Sequence, residues 1–183
     1  MSNTLLSTSL FWIFTIGFFS SCFSQTKQSG PVIKDYGKVW YIENTDFKVD
    51  TTKTYKAVFD IMNSPEDVSQ RNASLETAAR FLNMHAQSGV PLKQLKVALV
   101  VHNKASKDVI TSEAYQAKYK VKNPNEQLLQ DLMAAGAQII FCGQSSSSRG
   151  FPKEDLIDGV QLSLSAMTAL IQLQDENYRL IKF

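Results

Sequence analysis

The sequence predicts an α/β fold built on a mainly parallel five-stranded sheet. Short apolar runs rich in β-branched and aromatic residues recur along the chain, and stretches of helical period separate them. The runs are continuous rather than alternating, as in strands covered on both faces. Strand and helix in alternation indicate a parallel sheet with helices on each side.

The first 24 residues contain no Lys, Arg, Asp or Glu, and Leu10 to Phe19 (LFWIFTIGFF) is an apolar run followed by small residues. That length suits a signal peptide and is too short to span a bilayer. No basic residue precedes the run, which is a departure from the usual leader. The expectation is export, periplasmic or lipid-anchored at the cell envelope. Two processing routes stay open: cleavage after Ser24, or a degenerate lipobox (Phe19-Ser20-Ser21-Cys22) that would make Cys22 the lipidated first residue. Membrane contact is expected only through such an anchor.

Residues 25 to 53 read as an extended N-terminal arm, with Trp40 of the insert Val39-Trp40-Tyr41-Ile42 as its anchor. Residues 54 to 183 form the α/β domain. Tyr55 to Met62 (YKAVFDIM) is the first strand. Leu75, Ala78, Ala79, Leu82 and Ala86 share one helical face over 72 to 88, with Asn72 as N-cap and Gly89 just past the end. Leu95 to His102 is the second strand. A short helix over 111 to 119 and a firmer one after Asn123-Pro124, with Leu128, Leu129, Leu132 and Met133 inward, lead to the third strand, Ala137 to Cys142. The serine-rich stretch from Gly143 to Gly150 reads as a loop, and Pro152 can open a helical turn through Asp155. Val160 to Leu164 is the fourth strand. Ser165 caps a helix carrying Met167, Leu170, Ile171 and Leu173, and Tyr178 to Phe183 closes as the fifth strand.

Composition excludes several function classes. The chain has 19 basic and 17 acidic residues without a basic stripe, so nucleic acid is not an expected partner. Two histidines and one cysteine beyond the leader give no metal-ligand spacing. There is no P-loop and no G-x-G-x-x-G, so no cofactor is predicted. Gly143-Gln144-Ser145-Ser146-Ser147 fails the G-x-S-x-G elbow, which disfavours a serine hydrolase.

In open α/β sheets, ligands meet the carboxyl ends of the strands. His102 and Cys142 end the second and third strands, and they share one rim if those strands are neighbours. Periodicity does not give strand order. A thiol is activated by a cation, a histidine or backbone amides, and Arg149 with the amides of the following stretch offers such groups. The alternative is a small structural cysteine capping a buried strand. Gly143, Gln144, Ser145 and Arg149 are candidate anion-binding residues, or part of a solvated loop. His85 reads as packed on its helix rather than catalytic.

The blocks VALVVHN, NPNEQLLQDLMAAGAQIIFCGQS and GVQLSLSAMTALIQLQDENYRLIKF together resemble the DsrE/DsrF-like family of small sulfur-metabolism proteins. The likeness spans roughly residues 54 to 183, and the arm motif YGKVW extends it toward residue 36. It implies a three-layer α/β/α fold, homo-oligomers, and protein partners that donate and accept persulfide sulfur. Cys142 matches the cysteine that carries the persulfide in relay members, which implies a sulfur carrier or sulfurtransferase. His102 matches a histidine common in this branch. A non-catalytic anion-binding or assembly module of the same fold is the alternative. Two positions depart from the family pattern, with Asn103 and Asn177 standing where relatives often have glycine. The relay proteins are also cytoplasmic, unlike the exported chain expected here.

Overall fold

The computed structural model describes residues 26–182; the leader, with Cys22 and Ser24, lies outside the described residues. Five strands form one sheet: β1 (Tyr55–Ile61), β2 (Leu95–Val101), β3 (Gln138–Cys142), β4 (Gln161–Ser163) and β5 (Arg179–Ile181). Their order is β4-β3-β2-β1-β5, and every pairing is parallel. Helices α1 (Ala73–Gln87), α2 (Ser112–Tyr119), α3 (Glu126–Ala134), α4 (Gly143–Arg149) and α5 (Ala166–Asp175) complete the three-layer α/β/α architecture.

Period-two side-chain alternation splits the core in two. Phe59, Ile61, Leu99, Val101, Ile139 and Phe141 face α1 and α3, where Leu75, Leu82, Leu128 and Leu132 are fully buried. Val58, Ala98, Val100, Ile140 and Cys142 face α5 through Ala166, Ala169 and Leu173. Asn72 caps α1 by accepting from the Ser74 amide, and Ser165 caps α5 by accepting from Thr168.

The structure corrects several local expectations. The stretch after Cys142 is not a loop but the helix α4, with Cys142 as its N-cap and Gly150 in the left-handed conformation past its end. Pro152 precedes the 3-10 turn Lys153–Asp155 instead of opening it, and Asn103–Val109 forms a further 3-10 helix. The last two strands are shorter than the apolar runs, because Val160 and Leu164 flank β4, and Tyr178 packs under α5 ahead of β5. On α5, Met167 and Ile171 point outward; the buried stripe is Ala166, Ala169 and Leu173.

The arm is anchored differently from expectation. Trp40 is 45% exposed, while Ile33 and Val39 are the buried hydrophobic residues of the arm. An isolated antiparallel bridge pairs Gln28 with Val39, and the arm docks on α1 through Asn83. The Asn83 Oδ1 accepts from the Val32 and Ile33 amides, and its Nδ2 donates to the carbonyls of Ile33, Tyr36 and Gly37. Gly37 allows the close approach: a Cβ there would stand 2.5 Å from the Ala79 backbone. Among the described residues no helix is long and apolar enough to cross a membrane.

Candidate functional site

Strand order settles what periodicity left open: β2 and β3 are neighbours, so His102 and Cys142 sit at one rim. The register ends Val100↔Ile140, Val101↔Phe141. One step further, His102 stands opposite Cys142, its backbone still extended and its amide still donating to Ile61 O at 2.9 Å. Val100 and Ile140 face α5, so by alternation His102 and Cys142 do too.

A third residue joins them. Asp60 on β1 shares this face with Val58, and its Oδ1 lies 2.7 Å from His102 Nε2. The side chains are partly withdrawn from solvent, at 13% and 22% exposure. Asp60, His102 and Cys142 thus lie on one side of the sheet on three adjacent strands, with His102 opposite Cys142 and Asp60, which pairs with Val100, one side-chain step behind. Asp60 is not among the candidates that the sequence singles out. The available signal was a lone carboxylate inside the apolar run YKAVFDI, at the position where a buried strand reaches the binding rim.

Cys142 is 5% exposed and is the free cysteine of the described residues. Burial pushes its thiol pKa up. The Ser145 amide and hydroxyl, then the Ala166 and Gln144 amides, outweigh this and hold it below the ordinary value of 9.0. These donors come from the first turns of α4 and α5, where backbone N–H groups lack intrahelical partners and favour an anion. The thiol makes no regular capping hydrogen bond at α4, so the effect rests on several donors converging on it.

Gly143 makes this convergence possible. A Cβ there would lie 2.5 Å from Ser163 O and 3.2 Å from Leu164 O, so only glycine lets the β4–α5 junction close over the thiol. Gln144 Nε2 donates to Leu164 O at 3.3 Å across the same junction.

Asn103 links His102 to α4. It adopts φ 53°, a left-handed conformation that Asn and Gly tolerate best. Its amide donates to Ser145 Oγ at 3.0 Å, and its side-chain oxygen accepts from the Arg149 guanidinium. Arg149, expected to lower the thiol pKa, is therefore directed at Asn103. Asn177 has φ 69°, so both asparagines that depart from the family pattern occupy backbone positions suited to glycine. His85 packs against Phe81 and Tyr55, its Nδ1 2.8 Å from Phe81 O, far in the fold from this rim.

Beside the rim lies a buried polar cluster that sequence inspection did not find. Asp108 Oδ1 accepts from Ser64, Lys107 and Asn125, and its Oδ2 from Asn72. It joins the segment after β1 to the starts of α1 and α3, and so positions the loops around the site. Among the described residues no group of three or more His, Cys, Asp or Glu is placed to hold a metal.

A family model described as the DsrE/DsrF-like family matches residues 56–183. Two solved structures share the architecture. A protein of unknown function, MTH1491 from Methanobacterium thermoautotrophicum, is 17% identical with a TM-score of 0.54, over 70% of this chain and 99% of its own. The ychN protein from E. coli is 21% identical with a TM-score of 0.52, over the same shares of 70% and 99%. At these identities the likeness establishes the fold alone. No curated protein matches the sequence significantly.

Proposed function

Since the chain belongs to the DsrE/DsrF-like family, we propose that it carries sulfane sulfur on Cys142, taking it from a persulfide donor and passing it to an acceptor thiol. The observation that carries this reading is the place of Cys142 at the end of β3, as N-cap of α4 and packed against Ala166 at the start of α5, where the helix amides favour its thiolate. A thiolate is the attacking form in such exchange, and its rate depends on the thiolate fraction and on access. The burial of Cys142 favours small donors over bulky ones. Leu164, Met167 and Ile171, exposed on and next to α5, support a partner-facing surface close by, for a second copy or an acceptor protein. Export, with cleavage after Ser24 or lipidation at Cys22, belongs to the same reading and rests on the leader sequence.

The test is mass spectrometry of the protein after incubation with polysulfide. Added sulfur on Cys142, absent in Cys142→Ser, is the expected result; an unmodified thiol overturns the reading.

One observation favours a second reading. Cys142 is part of the core cluster beneath α5, which suits a structural cysteine in a non-catalytic anion-binding or assembly module. That module predicts a native thiol resistant to alkylation until the protein unfolds.

A further inference from the structure

We propose that Asp60 and His102 form the proton relay of Cys142, with His102 Nδ1 as the group that takes and returns the thiol proton and Asp60 as the positioning residue. This rests on the sulfur-carrier reading and adds to it a residue, Asp60, and a division of labour.

The geometry supports three steps of argument. Register and alternation put His102 and Cys142 opposite one another on neighbouring parallel strands, and such strands run about 4.8 Å apart. The 2.7 Å contact between Asp60 Oδ1 and His102 Nε2 comes from the opposite side, from β1. A carboxylate accepts only, so Nε2 carries the proton in that bond and Nδ1 is the acceptor of the neutral ring. Among the described residues Nδ1 has no hydrogen-bond partner of its own. Three cations stand around the row: Lys182 Nζ lies 4.0 Å from Asp60 Oδ2, Arg80 on α1 lines the same cavity as Asp60, and Arg149 reaches the row through Asn103. The first turns of α4 and α5 carry no acidic residue.

The step balances without an added oxidant. The Cys142 proton moves to His102 Nδ1, and Asp60 holds the resulting imidazolium. The thiolate attacks the outer sulfur of a low-mass persulfide, R–S–SH. A new S–S bond forms as the old one breaks, and its electron pair leaves on R–S⁻, which takes the proton back from Nδ1. The products are Cys142–S–SH and R–SH. The helix amides set how readily the thiolate forms, while His102 supplies the acid that the leaving thiolate needs.

These contributions separate experimentally. Wild-type full chain, Asp60→Asn and His102→Gln are compared in two reactions across pH: sulfur uptake from glutathione persulfide, and alkylation by iodoacetamide. At neutral pH both variants are expected to take up sulfur roughly 100-fold more slowly, the scale of losing an oriented acid–base group. In alkaline solution, where the thiol ionises unaided, their alkylation rates should equal that of wild type. A variant slowed equally at every pH in both reactions indicates a structural role and overturns the relay; so does uptake that matches wild type. If wild type alkylates but takes no sulfur, the carrier reading fails by itself. The relay is then judged on alkylation near neutral pH, where wild type must exceed both variants and coincident profiles overturn it.

Discussion

Gly143 lies so close to Ser163 that a Cβ on it would stand 2.5 Å from the Ser163 carbonyl oxygen. This backbone contact holds the start of α4 against the β4–α5 junction, and with it two of the helix ends that surround Cys142. Gly143→Ala forces the junction apart, an overpacking cost of about 1–3 kcal/mol. The expected outcome is a lower melting temperature together with a thiol pKa moved up toward 9.0, read by thermal denaturation and by alkylation rate against pH.

The lowered thiol pKa also links stability to pH. The folded chain favours the Cys142 thiolate more than the unfolded chain does. A depressed folded-state pKa adds stability that is complete above the unfolded value near 9.0 and is lost as pH falls through the folded value. The stability of wild type relative to Cys142→Ser should therefore rise with pH inside that window and be flat on either side, as measured by urea denaturation at a series of pH values.

Asp108 is fully buried and accepts from Ser64, Asn72, Lys107 and Asn125. Asp108→Ala leaves the Lys107 ammonium, itself only 11% exposed, with the Ser64 hydroxyl but without its carboxylate partner. Breaking a buried pair from one side costs about 3–5 kcal/mol. In a chain of this size that lowers the melting temperature by on the order of 10 °C, which calorimetry reads directly.

Asn83 holds the arm to α1 through five hydrogen bonds, to Val32, Ile33, Tyr36 and Gly37. Asn83→Ala leaves buried backbone groups unsatisfied, at about 1–3 kcal/mol each. The arm should then come loose before the domain unfolds. Limited proteolysis is expected to cut between residues 26 and 53 in the variant under conditions that leave wild type intact, and a core fragment starting near Thr54 should survive.

Much of the fold was legible in local patterns. The apolar runs Tyr55 to Met62, Leu95 to His102 and Ala137 to Cys142 marked the three central strands to within a residue at each end, and the 3.6-residue spacing of Leu75, Ala78, Ala79 and Leu82 marked α1. The asparagine and serine caps at Asn72 and Ser165 were readable because capping is settled within a few residues. Helix α4 was not readable. Serine weakly disfavours helix and turns easily, and only contacts from elsewhere, Ser163 against Gly143 and Asn103 against Ser145, decide the conformation there.

By itself the sequence determined the alternation of strands and helices, the starts of α1 and α5, and the placing of His102 and Cys142 at the ends of the second and third apolar runs. Hydrophobic period and capping act over a few positions, and so they survive in the linear order. Only the tertiary structure decided that β2 lies between β1 and β3. That one arrangement brings Asp60 to His102 across 42 residues and puts both on the face of Cys142. It also turns Arg149 to Asn103 and surrounds the thiol with amides from two helices. Those relations depend on strand order and register, which the packing of the whole sheet selects and which no short stretch of the chain encodes.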